Sequence, residues 1–253
     1  MFQRCPKCGH EPLPADQSLP AACPACGVIL AKVARGLGPH APAGPAGQHP
    51  AAREPAVVED EGGLLLHVPE QVDAPAFWSR VLLLAAFAAW GLYLVSLDYR
   101  DGEINSSFIH GPLLVFHEAG HVLFRPFGEW ISVLGGTLGQ LLMPALLGGA
   151  LLLKNRDPFG AALGLWLLGA SLLDVAPYVY DAQHPQLILL SGTTGEGGGH
   201  DWIYLLSSMH LLAKAQTLGA LLHTLGAGVL LLALVWGGWV IKRQHARLAP
   251  SAG

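Results

Sequence analysis

The apolar residues of this chain fall in long unbroken runs, not in the alternation of a half-buried strand. Residues 131–153 and 215–241 contain no charged residue, and each run exceeds the roughly 18–20 residues that cross a bilayer as a helix. Three more stretches extend the pattern. Residues 81–97 are apolar and are followed by the polar turn Asp98, Arg100, Asp101 and Glu103. A second helix is predicted from Pro112, which suits a first-turn position, to Pro126, which ends it. Residues 159–178 form the fourth stretch. The glycine-rich segment 191–199 reads as a flexible loop, and the mixed segment 202–212 as lying along the membrane surface. The predicted class is an all-α polytopic membrane protein with about five spans. Gly135 with Gly139, and Gly160 with Gly164, have the four-residue spacing that lets membrane helices approach closely.

Ahead of the spans the pattern changes twice. Residues 1–35 hold all four cysteines, and residues 36–76 are rich in Pro, Gly and Ala with an acidic run at Glu59, Asp60 and Glu61. Such a stretch cannot bury a core and is expected to be a flexible linker. Residues 77–253 then form the membrane domain. The N-terminus opens on polar residues and a cysteine motif, so no signal peptide is predicted. Arg80 and Arg125 favour a cytoplasmic N-terminus by the positive-inside rule, whereas Lys154, Arg156 and the cluster Lys242, Arg243 and Arg247 oppose it if there are five spans.

Composition agrees with that division: 253 residues, 52% hydrophobic, 13% charged and a net charge of -4, with a mean hydropathy of +0.43. Fourteen basic residues against eighteen acidic ones exclude a basic nucleic-acid-binding protein.

Cys5-Pro-Lys-Cys8-Gly and Cys23-Pro-Ala-Cys26-Gly are separated by fourteen residues. Each CxxC turn aims two sulfurs the same way, and two such turns give the four thiolates of a tetrahedral zinc site. The competing reading, two disulfides, needs an oxidising compartment, which the missing signal peptide argues against. Four protein ligands leave no open position, so this zinc is expected to be structural and to supply folding energy to a small zinc ribbon.

His117-Glu118-Ala119-Gly120-His121 lies in an otherwise apolar stretch. On a helix, positions i and i+4 share a face, so both imidazoles reach one metal with Glu118 beside it. Ionisable groups in a lipid-buried helix are costly unless paired or metal-bound, which favours a site over two merely hydrogen-bonded histidines. A third ligand must come from elsewhere. Residues 157–213 hold Asp174, Asp181, Glu196 and Asp201 but no Lys or Arg. Asp174 and Asp181 flank Pro177 and are the main candidates. His200-Asp201, a lone pair after a glycine run, is a weaker candidate because such pairs are more often solvated.

HEAGHVLFRPFG, then GGTLGQLLMP and DVAPYVYDA, resemble the site-2 protease family of intramembrane zinc metallopeptidases. The resemblance covers roughly residues 113–182. It implies that His117 and His121 are zinc ligands, that Glu118 is the catalytic glutamate, and that Pro177 is the proline of the family's NxxP segment. Asp181 then matches the aspartate of its LDG motif, the third ligand. Ala182 stands where the family has glycine, and Asp174 where it has asparagine, with the gap to Asp181 one residue short. Depth along a helix that starts at Phe159 favours Asp174, about 23 Å in, over Asp181 at about 33 Å. A break at Pro177 would fold Asp181 back to the site. Asp181 is the expected ligand, with Asp174 the alternative.

The expected function is zinc-assisted hydrolysis of peptide bonds in transmembrane segments, with one catalytic and one structural zinc. Gln140, inside the third span, and Pro177 are candidate substrate-binding residues, although Gln140 could equally be glue between helices. The rival is a non-enzymatic membrane protein that keeps zinc for structure or sensing. Expected partners are the lipid bilayer, a membrane-protein substrate and a protein that docks on the ribbon, but no nucleic acid. The expected location is the plasma membrane, with the ribbon cytoplasmic.

Overall fold

A computed structural model describes residues 2–18, 21–34, 63–69 and 71–248. The chain divides into two compact units, Met1–Val58 and Glu59–Gly253. Most of the expected linker, 36–62 with residue 70, lies outside the described residues, as does residue 35.

In the first unit the described chain forms two cysteine turns and the short helix α1 (Leu30–Ala34). An antiparallel bridge joins Ala22 to Ile29, and Leu30 is buried with Cys5 and Cys23. No strand is present among the described residues.

The second unit is helical: α2 (Ala74–Ser96), α3 (His110–Phe124), α4 (Glu129–Leu153), α5 (Pro158–Asp181), α6 (Asp201–Ser208) and α7 (Ala215–His245). Four of these segments, α2, α4, α5 and α7, are long and apolar enough to cross a membrane, consistent with an integral membrane protein. Leu82, Leu92, Leu146, Leu231 and Leu232 stay more than half exposed in the isolated chain, as lipid-facing side chains would. By contrast α5 is enclosed, 72% of its apolar window being buried, and its most extensive packing is against α7.

The predicted five spans become four. At 15 residues, α3 is about 22 Å long against a hydrocarbon core of about 30 Å. Connectivity leads to the same number. The Val72 amide donates to the Arg247 carbonyl at 3.1 Å, and Val72 bridges to Leu248, so α2 starts where α7 ends. Arg80 at the start of α2 lies 4.0 Å from Asp157 in the α4–α5 turn. The end of α4 is therefore also at that end of the bundle, and α4 begins at the end where α2 stops. It follows that α3 enters and returns on one side. Ile104 and Ile109, just before it, are buried in the same core cluster as Leu94 and Trp166.

Some residues assigned to the linker belong to this unit. Val68 and Val72 are buried with Phe77 and Val240, and α2 starts at Ala74, not near Val81. The helix reaches further back because Pro75 occupies a first-turn position.

Glycine permits the closest helix contact. A Cβ on Gly120 of α3 would lie 2.0 Å from the Gly135 carbonyl oxygen of α4, and one on Gly139 would lie 2.5 Å from the Phe116 carbonyl oxygen. The α3–α4 hairpin is therefore packed backbone to backbone.

Candidate metal centres

In the cysteine unit both turns have the same backbone plan. The Cys5 amide donates to His10 and the Gly9 amide to Cys5; likewise the Cys23 amide donates to Val28 and the Gly27 amide to Cys23. Gly9 and Gly27 have φ of 73° and 69°, a left-handed conformation that glycine adopts at little cost. The two turns face each other, with 3.7 Å between the Cys5 and Cys26 sulfurs and 3.7 Å between those of Cys8 and Cys23. Sulfurs bound to one tetrahedral zinc ion at about 2.3 Å stand about 3.8 Å apart, so this spacing fits a metal and exceeds that of a disulfide. None of the four cysteines is in a disulfide. Burial opposes ionisation of Cys5, yet backbone amides of Cys8 and Lys7 aimed at its sulfur outweigh this and bring the thiol down to about 6.

The second centre is built on α3, which presents Leu113, His117 and Gly120 to the interior. His117 and His121 follow one another by one turn, as their spacing predicts. The His117 Nδ1 faces Gln140 Oε1 at 3.2 Å, and Gln140 Nε2 donates to Asp174 Oδ2 at 2.8 Å. Because the amide's N–H is used on the aspartate, its oxygen accepts from His117 Nδ1. His121 Nδ1 donates to the Ser132 carbonyl at 2.9 Å. Each imidazole thus keeps a proton on Nδ1, directed away from the site, and turns Nε2 toward it.

A third acceptor meets those nitrogens. Asp201 Oδ2 lies 2.9 Å from His117 Nε2 and 3.2 Å from His121 Nε2. Three lone pairs converging on one point repel unless a cation, a proton or a metal ion, sits among them. The space is kept open by Gly136 of α4, where a Cβ would come within 2.4 Å of His117 Nε2 and 2.6 Å of His121 Nε2. Donor chemistry and open space therefore both fit a metal ion. A Glu118 oxygen stands within 4.8 Å of the imidazole ligand atoms. Its side chain is exposed and lines a cavity of about 450 Å³ shared with His110, His117, His121, Asp201 and the loop 187–191.

The two aspartates expected as ligands are occupied elsewhere. Asp174 receives Gln140 on Oδ2 and faces His110 Nδ1 at 2.9 Å through Oδ1. Asp181 Oδ1 accepts the amides of Gln186 and Leu187 at 2.7 and 3.1 Å, and its Oδ2 is 3.3 Å from His200 Nε2. The expected break at Pro177 does not occur: Pro177 is buried inside α5, which continues to Asp181, so Asp181 is not turned back toward α3. Nor is Gln140 free to hold a substrate strand; it is the glue between His117 and Asp174, on one wall of the cavity.

What DVAPYVYDA supplies instead is a scaffold. Asp174, Tyr178 and Asp181 recur at i, i+4 and i+7 on one face of α5. Asp174 holds His110 and Gln140. The Tyr178 hydroxyl accepts the Asp201 amide at 2.9 Å, and its ring stacks on His200 at 4.3 Å. Asp181 holds His200 and the start of the loop. Asp174, Asp181 and Asp201 each face histidine: His110, His200, and His117 with His121. His110 and Tyr178 escaped the sequence reading, although His110 is seven residues, two turns, before His117. No family model, curated protein or solved structure matches the chain.

Proposed function

We propose that the chain is an intramembrane zinc metalloprotease, similar in chemistry to the site-2 proteases, that hydrolyses a peptide bond within the transmembrane segment of another membrane protein. One observation carries the reading: a carboxylate, Glu118, faces a cavity beside two imidazoles whose Nε2 atoms converge. A metal held only for structure has no use for an exposed acid at its open side. Zinc, when bound by His117 and His121, supplies Lewis acidity that acidifies water and polarises a carbonyl. Glu118 takes the proton from the attacking water and returns it to the leaving amine. Gln140 and the Ser132 carbonyl keep both imidazoles in the tautomer that coordinates. The loop 187–191 gives the cavity an apolar wall, with Ile188 and Leu190 70% exposed, suited to a segment drawn from lipid. That segment must unwind first, since a helix hides its carbonyls.

Orientation follows from charge. Arg80, Lys154, Arg156, Lys242, Arg243 and Arg247 belong to the end of the bundle where α2 starts and α7 stops. By the positive-inside rule this end is cytoplasmic. Residues before α2 then start in the cytoplasm of a plasma-membrane protein, and the cysteine unit is a structural zinc ribbon that docks a protein partner. With four spans, Lys154, Arg156, Lys242, Arg243 and Arg247 join Arg80 at one end, against Arg100, Arg125 and Lys214 at the other.

The rival, a metal held for structure or sensing, requires a closed coordination sphere. X-ray absorption at the zinc edge of the full chain, with Cys5, Cys8, Cys23 and Cys26 changed to Ser, separates the two. The expected result is a sphere of nitrogen and oxygen with one solvent oxygen that an added hydroxamate displaces. A sphere that no hydroxamate perturbs would favour the rival.

A further inference from the structure

We propose that Asp201, at the start of α6, is the third protein ligand of the membrane metal centre, carried there by the loop 182–200, which α5 clamps in place. The inference rests on the reading of His117 and His121 as metal ligands and deepens it.

Distance is the first support. Ligand atoms about 2.0–2.2 Å from a tetrahedral metal stand about 3.3–3.5 Å apart. Asp201 Oδ2 stands 2.9 and 3.2 Å from the two Nε2 atoms, so a metal is accommodated by shifts of a few tenths of an ångström. The second support is elimination among the neighbouring aspartates. Asp174 meets His110 through Oδ1 and Gln140 through Oδ2, and Asp181 accepts the Gln186 and Leu187 amides through Oδ1, while its Oδ2 lies 3.3 Å from His200 Nε2 without a hydrogen bond; moving either carboxylate to the metal would strand those donors, a cost of about 1–3 kcal/mol for each.

The third support is how firmly Asp201 is held. His200 Nδ1 accepts the Ile203 amide at 3.4 Å, so its proton is on Nε2, which faces Asp181 Oδ2 at 3.3 Å. The His200 side chain is fully buried against the Tyr178 ring, and the Tyr178 hydroxyl receives the Asp201 amide. Tyr178 therefore holds Asp201 directly, and Asp181 holds the loop through the Gln186 and Leu187 amides with its other oxygen packed near His200. Asp181 is a positioning residue: it sets the place of a ligand without being one. The metal in turn ties α3 to α6, so capture of the ion and docking of the loop are one equilibrium.

Asp201→Cys in the full chain, with the four N-terminal cysteines changed to Ser, gives the decisive signal. Its zinc absorption spectrum is expected to show one sulfur at about 2.3 Å, whereas the Asp201 parent shows none. In the same background Asp201→Asn is expected to weaken zinc at least about 100-fold in chelator competition. Asp181→Asn and Tyr178→Phe are each expected to weaken it about 10-fold, the effect of losing an outer support. Zinc bound by the parent, with no sulfur in Asp201→Cys and unchanged affinity in Asp201→Asn, overturns the assignment and leaves the protease reading standing. If Asp201→Cys takes up no zinc, the Asp201→Asn affinity decides. A parent that binds no zinc in the membrane domain overturns both.

Discussion

A single methyl group at residue 136 should evict the membrane metal while leaving the cysteine site loaded. In Gly136→Ala the new Cβ would lie 2.4 Å from His117 Nε2 and 2.6 Å from His121 Nε2, and real Cβ contacts do not fall below 3.0 Å. The imidazoles cannot simply swing aside, because Gln140 and the Ser132 carbonyl pin their Nδ1 atoms. Retreating from 2.4 to at least 3.0 Å displaces a ligand nitrogen by more than the about 0.2 Å that a metal bond tolerates, and the methyl itself fills the ion's place. We expect zinc affinity at this centre to fall at least 100-fold, equivalent to about 2.7 kcal/mol. The backbone should not be the cause, since Gly→Ala within a helix is favourable by up to about 1 kcal/mol. Gly149→Ala, on the same helix with nothing within 4 Å of its Cβ, is the control. Elemental analysis of the purified full chain after dialysis against a chelator should give about two zinc ions for wild type and Gly149→Ala, and about one for Gly136→Ala. Two ions retained in Gly136→Ala would refute a metal between these nitrogens.

The other predictions concern the supports of each site. Changing Cys5 and Cys8 to Ser should remove one zinc ion per chain and leave the membrane ion, because the two ligand sets belong to separate compact units; loss of both ions by elemental analysis would show them coupled. Gln140→Leu should weaken membrane-site zinc about 10–100-fold by freeing the His117 tautomer, and Gln140→Glu should restore part of it, both read by chelator competition. Gly164→Ala drives a methyl to 2.5 Å from the Gly148 Cα and should destabilise the α4–α5 packing by about 1–3 kcal/mol, seen as a lower melting temperature; an unchanged one would mean these helices are not in contact.

The long apolar runs revealed four of the helices because lipid selects length and hydropathy, and both are local properties of sequence. Span count was less legible. The run around HEAGH is apolar enough to resemble a crossing; its length, with the meeting of Val72 with Arg247, 175 positions away, and of Arg80 with Asp157, indicates that α3 returns instead. The cysteine turns were readable because each CPxCG is self-contained, down to the positive φ of Gly9 and Gly27. That His117, Glu118 and His121 lie together was readable from the HExxH spacing on a helix. Asp201 was not, since it reaches the histidines across 84 and 80 positions on a glycine-rich loop, and a His-Asp pair in such a loop has no periodicity to mark its direction. Asp174 and Asp181 carry no local mark that tells a metal ligand from a partner of histidine, since that distinction rests on tertiary contacts. Gly136 belongs to the same class: its role is the space that a side chain would take from another helix.

Hydrolysis is the central claim, and Glu118→Gln tests it most directly. Membrane-protein fragments should be compared, by mass spectrometry of new N-termini, in cells carrying the wild-type chain, Glu118→Gln or no copy. The account predicts fragments cut within transmembrane segments in wild-type cells only. It also predicts that purified Glu118→Gln keeps wild-type zinc, because the lost group moves a proton and holds no metal. Fragments that persist in Glu118→Gln, or their absence from all three strains with zinc bound in each protein, would contradict it.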